Sequence, residues 1–358
     1  MMVGGRSRIR LLVIDAVLWG VLCLMLVTGQ INQYAVKRYS PASLRYDTPI
    51  TGKAAYVARQ HSIERSGEGT FWPTFWREYK ASFKGGFVAV EADCIAFSGE
   101  AALVWPLEYV TGEAPSVIDG EGCAVSEQLA WKIWGSSDII GMIVEADGAQ
   151  RVIRGVFKGE TEVALLSFRD EDTTQSWNAV ELSGGPADAV RSDAESFASA
   201  SGLGKPDAIL MGGHSIFADA LVAIPIVILI VFGIALIAGF VRKQFPSART
   251  PLFFTVLIIC AILLPSLLNK LPAWLIPTRW SDFSFWVSLM RQASSGIREF
   301  LSVTPQSRDV ELRMLLIKQT VIAFASVCAA VSVCFRWQMR RRCGLRPASG
   351  QWSVISGQ

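Results

Sequence analysis

The sequence predicts a membrane protein with four transmembrane α-helices plus one α+β extracytoplasmic domain. Three observations lead there. Four long apolar blocks stand apart from ordinary globular sequence in a chain of 358 residues that is 51% hydrophobic and 18% charged. The basic residues cluster beside alternate ends of those blocks. The stretch between the first two blocks, residues 30–215, is long enough to bury a core of its own.

A helix needs about 20 predominantly apolar residues to cross the hydrocarbon layer. Leu11–Thr28 is interrupted only by Asp15, and Ile216–Val241 only by Asp219. Pro251–Leu268 has no charged residue, and Met314–Phe335 has only Lys318. Core helices seldom run this far without charge, so each block is read as a span. The first block also admits a cleaved leader, because Arg6, Arg8 and Arg10 precede it and Val27-Thr28-Gly29 resembles a small-residue cleavage site.

Orientation follows from Lys and Arg placement. Arg6, Arg8 and Arg10 lie before the first block, Arg242, Lys243 and Arg249 between the second and third, and Arg336, Arg340, Arg341 and Arg342 after the fourth. With four spans these segments share one side, which becomes the cytoplasmic face of a cell (plasma or inner) membrane. The expected order is a cytoplasmic N-terminus at 1–10, a span at 11–29, the extracytoplasmic domain at 30–215 and a span at 216–241. A short cytoplasmic loop at 242–250, a span at 251–268, an extracytoplasmic loop at 269–313, a span at 314–335 and a cytoplasmic tail at 336–358 complete it. Asp219 and Lys318 lie at similar depth and are candidates for an intramembrane pair, with snorkelling to the interface as the alternative.

Within 30–215 the pattern mixes strands and helices. Phe87–Ala92 reads as a strand. Glu121–Val125 leads into Ser126, an N-cap residue, and the following turn places Leu129, Ala130, Ile133 and Trp134 on one face before Gly135 stops the helix. Met142–Ala146 and Arg151–Phe157 flank Asp147-Gly148, a tight-turn pair, and form a hairpin. Pro186–Ser201 reads as a surface helix or a linker. In the later loop, Phe283, Trp286, Met290, Ile297 and Phe300 recur at helical spacing, and Trp274, Trp280 and Trp286 suit a membrane boundary.

Reactive chemistry is sparse. A formal charge of +3 gives no reason for a nucleic-acid partner. The sequence lacks a phosphate loop of the G-x-x-x-x-G-K-[ST] kind and a G-x-S-x-G elbow. Its two histidines, His61 and His214, make no zinc motif with the cysteines and read as surface-loop residues. No cofactor, metal or catalytic residue is expected. Of seven cysteines only Cys94 and Cys123 fall in the extracytoplasmic domain. An even pair there suggests a disulfide closing about 29 residues, which would contribute roughly 3 kcal/mol. Two buried free thiols are the alternative.

The run CAVSEQLAWKIWGSSDIIGMIVEADGAQRVIRGVF, Cys123–Phe157, resembles the extracytoplasmic core of the MacB/FtsX-like ABC transporter permease family. The resemblance rests on Ser126, Glu127, Leu129, Ala130, Trp134, Gly135, Asp138, Ile140, Gly141, Gly155 and Val156, and on the four-span layout. It implies a MacB-like core domain whose matched residues cap, pack and turn. It implies a non-catalytic permease subunit, a separate ABC ATPase, contact with membrane lipid, and a homodimer or a heterodimer with another permease. Arg242, Lys243 and Arg249 become candidates for cytoplasmic coupling. That inner segment is much shorter than the family's, which also leaves room for an uncoupled membrane-anchored binding, sensing or assembly module.

Overall fold

In a computed structural model the described residues are 3–186, 191–244 and 300–344, with 254, 258, 284, 287, 291 and 298. They divide into two compact units. One takes Met1–Gln33, Ala218–Leu264 and Leu316–Gln358, and the other takes Tyr34–Phe217 and Pro265–Leu315.

The first unit contains most of three long helices: α1 (Val3–Lys37), α6 (Gly213–Gln244) and α7 (Ser307–Gly344). Each holds a stretch long and apolar enough to cross a membrane: Val13–Lys37, Gly213–Leu236 and Ser307–Met339. Most side chains of α1 and α6 in these stretches are exposed, as lipid-facing residues are (Val17, Leu24, Val27, Val227 and Val231 among them). The expected span at 251–268 lies outside the described residues apart from Phe254 and Ile258, which are helical and exposed. The aromatic stripe at 283–300 also lies largely outside them; of its five residues only Phe300 is described, and it is helical.

Polar contacts tie these helices at defined heights. The Asn32 amide donates to Gln319 Oε1 at 2.8 Å with both residues buried. A Cβ on Gly29 would lie 3.5 Å from Ile322 and 3.9 Å from Val222, so the glycine lets α1 lie close to both neighbours. Arg336 Nε meets Asp15 at 2.9 Å, a partner for Asp15 that sequence reading missed. For the expected Asp219–Lys318 pair the structure gives a different arrangement. Asp219 accepts a hydrogen bond from Gln33, and Lys318 is exposed.

The second unit is the inserted domain, a mixed α+β fold. Its helices are α2 (Gly52–Glu64), α3 (Ala101–Val104), α4 (Glu127–Trp134) and α5 (Arg191–Ala200). Its strands are β1 (Ala42–Thr51), β2 (Phe71–Gly85), β3 (Val88–Ser98), β4 (Tyr109–Gly112), β5 (Gly122–Ser126), β6 (Ile143–Ala146), β7 (Ala149–Phe157), β8 (Val163–Ser167), β9 (Ser176–Gly184) and β10 (Ala208–Met211). They form one sheet in the order β10-β1-β9-β2-β3-β8-β5-β7-β4, with β6 bridging β2 and β7. On one edge of β2, residues 71–76 pair with β9 and residues 83–84 with β6. The strands β2-β3-β8-β5-β7-β6 therefore close a ring, and β9-β1-β10 extend from it as an open arm.

Strand alternation sends side chains to two faces. One face carries Leu44, Phe75, Cys94, Ala96, Ala164, Leu166, Val180 and Leu182, covered by Ala55 and Ala58 of α2, Leu129 and Ile133 of α4, and Phe197 of α5. The other carries Trp76, Ile95, Phe97, Leu165 and Ala179, all at most 2% exposed, and buries Val104 and Trp105.

Local chemistry accounts for the elements. Ser126 caps α4 by accepting from Leu129 N, donates to Thr161 O at 2.7 Å and also accepts from Val163 N. Gly135 ends the helix at φ +67°. Asp147 and Gly148, at φ +49° and +81°, make the two-residue turn between β6 and β7. The expected strand at 87–92 is the start of the longer β3, and Pro186–Ser201 contains α5 as a packed helix, held by buried Ala194, Phe197 and Ala198. His61 lies on α2 with its ring edge-on to Phe197 at 6.3 Å, and so belongs to a packed helix rather than a surface loop.

The expected disulfide is absent. Cys94 and Cys123 are free, and both are fully buried. Strand β8 lies between theirs, with Cys94 opposite Ala164 and Cys123 opposite Leu166. Two strand spacings are about 9–10 Å, beyond the reach of a disulfide. Burial pushes the Cys123 thiol up to about 12 and the Cys94 thiol up as well. Both thiols should therefore resist alkylation in the folded chain and take up one alkyl group each on unfolding without reductant, as read by mass spectrometry.

Gly155 has no room for a side chain, since a Cβ there would lie 2.3 Å from the Glu113 carbonyl and 2.7 Å from the Tyr109 ring. Gly155→Ala is expected to destabilise the inserted domain by about 1–3 kcal/mol in a thermal melt.

Candidate functional site

A charge inside a sheet must be compensated where it lies, because burying an unpaired ion costs several kcal/mol. Glu181, in the centre of β9, is such a charge, and its side chain is fully buried. Register places it opposite Ser43 on β1 and Thr74 on β2, on the face that carries Trp76. One oxygen, Glu181 Oε1, accepts from Ser43 Oγ at 2.7 Å, from Trp76 Nε1 at 2.9 Å and from the guanidinium of Arg308. Arg45 Nη2 stands 3.7 Å from the same oxygen.

Arg308 comes from the first turn of α7, and so does Asp309, which accepts from Arg45 Nη2 at 2.8 Å. The four charged side chains are each at most 8% exposed. Two guanidiniums and two carboxylates make the cluster neutral. Trp76 lies beneath both cations, with Arg45 Cζ 4.7 Å and Arg308 Cζ 5.5 Å from a ring centroid. Arg308 also sits 5.6 Å from the Tyr39 ring.

Further contacts hold the same helix head, Gln306–Arg313. Arg45 Nη1 donates to Gln306 Oε1 at 2.9 Å, and Glu78 of β2 accepts from both Ser307 N (2.8 Å) and the Ser307 hydroxyl. A carboxylate on the first N–H of a helix also faces the positive end of its dipole. Trp105 Nε1 donates to Glu311. Arg313 turns back to the carbonyls of Phe300 (2.6 Å) and Val303 (2.9 Å). His214 is half-buried with its Nε2 buried, and it senses the charges of both Arg308 and Glu181. It therefore belongs to the edge of this cluster, not to a surface loop.

Burial alone would push the Glu181 carboxyl up, but Arg308 and Arg45 outweigh it and hold the group below the ordinary carboxylate range. Burial lowers the Arg45 guanidinium, opposed by Asp309 and Glu181. Burial and the nearby Glu311 hold the Tyr39 phenol well above its usual value. The cluster is thus a charged joint in which the two guanidiniums favour the ionised Glu181 carboxylate. Among the described residues there is also no group of three metal-binding side chains.

The residues singled out in the sequence fall elsewhere. Ser126 ends β5 and caps α4, Glu127, Leu129 and Ala130 lie in α4, Gly135 and Gly141 in the connection after it, and Gly155 and Val156 in β7. Arg242 and Lys243 lie in the last turn of α6, and Arg249 lies outside the described residues. Sequence reading missed the cluster because its bonded partners are 127 and 264 residues apart along the chain. Two signals were present: a glutamate inside the apolar strand WNAVEL, and an Arg-Asp pair just ahead of an apolar helix.

The elements so far define a class, a membrane-helix protein with an α+β domain inserted between its first two long apolar helices. Solved structures of that domain type are similar to this chain. They include the extracellular domain of the noncanonic ABC-type transporter YknZ from Gram-positive bacteria, with 14% identity over 48% of this chain and 97% of that one, at a TM-score of 0.38. The periplasmic region of MacB from Actinobacillus actinomycetemcomitans shows 12% identity over 48% of this chain and 87% of that one, also at 0.38. No protein-family profile matches the chain, and no curated protein does.

Removing Glu181 should strand the buried Arg308 guanidinium and leave the cluster with an excess cation. Glu181→Leu is expected to cost about 3–5 kcal/mol in a thermal melt of the full chain in detergent. The sign with pH follows from the lowered carboxyl. Its contribution is fully present above the unfolded glutamate value of about 4 and is lost as pH falls through the depressed folded value. The melting temperature of the wild type should approach that of the variant only in strong acid.

Proposed function

We propose that the chain is a non-catalytic, permease-like membrane subunit of a MacB/FtsX-type ABC transport system, whose extracytoplasmic domain couples to a substrate or partner. The observation that carries this reading is the Cys123–Phe157 segment. Its motif residues fold as strand, capped helix, hairpin and returning strand, inside a domain that interrupts the chain between two apolar helices. The matched side chains supply caps and turns, which suits a part that moves or binds. ATP hydrolysis would fall to a separate subunit docking on the cytoplasmic face, where Arg242, Lys243 and Arg249 are the available cations. Both chain termini and that loop share this face in the arrangement the basic residues favour.

A second reading has its own observation. The inner segment is short, whereas the segment ahead of the last helix is long and ends in the charged joint of the inserted domain. Such a chain suits an uncoupled anchor that senses or assembles through its outer domain.

Gentle solubilisation of native membranes followed by mass spectrometry tests the first reading. Stoichiometric recovery of an ABC ATPase is expected, and its reproducible absence with the chain intact would overturn it. Replacing Arg242, Lys243 and Arg249 together by glutamine should abolish that recovery while leaving the amount of chain in the membrane unchanged.

A further inference from the structure

The charged joint is wired crosswise. The inserted domain contributes one cation and one anion, Arg45 on β1 and Glu181 on β9, and the helix head contributes Arg308 and Asp309. Arg45 pairs with Asp309 across the interface, and Glu181 pairs with Arg308. Each side is therefore neutral by itself. Had both cations been on one side and both anions on the other, separation would leave two buried like charges, at a prohibitive cost.

Here separation leaves pairs. Arg45 Nη2 and Glu181 Oε1 already form a long ion pair at 3.7 Å on neighbouring strands, which a small rotation of either side chain would shorten to a hydrogen bond. Ser43 and Trp76 remain bonded to the same carboxylate. On the helix, Arg308 and Asp309 are adjacent, and Asp309 lies in the first turn, where the backbone N–H groups favour an anion. The other polar contacts of the head, Gln306 with Arg45, Ser307 with Glu78 and Glu311 with Trp105, become solvated when it leaves.

We propose that the head of α7, Gln306–Arg313, is a reversible latch on the inserted domain, in which Arg45, Glu181, Arg308 and Asp309 exchange ion-pair partners between the docked and the released state. The latch gives the last apolar helix a releasable hold on the domain. This inference goes beyond the transport reading and does not depend on it.

Hydrogen exchange of the full chain in detergent micelles, read by mass spectrometry on peptides over 306–313, β1 and β9, tests it. In the wild type the 306–313 amides should exchange at least tenfold faster than those of β1 and β9, relative to their intrinsic rates. Exchange of all three in one step would show a permanent weld and overturn the latch. Charge removal gives the second test. Arg308→Met leaves the cluster with an excess anion and Asp309→Asn with an excess cation, so each should speed exchange of the head by roughly tenfold or more. The double variant restores neutrality and should exchange more slowly than either single one. A double variant as fast as the faster single one would overturn the proposal. Should the helix variants fail to fold, Arg45→Met, Glu181→Gln and their combination ask the same question from the other side, with the same order expected.

Discussion

Glu181 sets the terms for one whole face of the sheet. An ionised carboxylate in the middle of β9 must be met by cations in a place that water does not reach, and the strands supply only one, Arg45. The second, Arg308, arrives from a segment more than a hundred residues further along the chain. Trp76, beneath both guanidiniums, closes the group off on the sheet side and lends its indole N–H to the same oxygen. The start of α7 is thereby specified. The apolar run alone begins near Met314, yet the helix begins at Ser307, where Glu78 accepts from the Ser307 N–H and Asp309 from the Gln306 N–H.

The opposite face is held by ordinary hydrophobic packing. Helices α2, α4 and α5 lie on Leu44, Phe75, Ala164 and Val180, and the two cysteines are small apolar members of that layer. The two faces therefore answer to different physics. Apolar packing tolerates adjustment, whereas the charged face accepts one register and penalises its neighbours. Polar contacts between the long helices work in the second way. The Asn32–Gln319 and Asp15–Arg336 pairs act at fixed heights where the apolar surface around them offers no preference.

Local chemistry was legible in the sequence and long-range chemistry was not. The Ser126 cap, the Gly135 stop and the Asp147-Gly148 turn depend on residues within a few positions of each other, and each appears in the structure where spacing placed it. Three long apolar helices were equally plain, since composition alone defines them. The disulfide expectation failed for a topological reason. Counting cysteines by compartment cannot reveal that β8 inserts between β3 and β5. The charged joint stayed hidden for the same reason, because Arg45 and Glu181 lie on strands brought together from distant parts of the chain. Depth along the apolar blocks did not identify Arg336 as the neighbour of Asp15 or Gln33 as that of Asp219.

The six-stranded ring has a consequence for load. Strands β2, β3, β8, β5, β7 and β6 brace one another around a closed circuit, and a pull on any one of them is shared in both directions. The arm β9-β1-β10 has no such return path and joins the ring only along residues 71–76 of β2. The helix head grips this arm, at Arg45 and Glu181, and also touches β2 at Glu78. A load on the helix head would therefore fall on the seam between β9 and β2, with the closed ring stiffer than the three-stranded arm beside it.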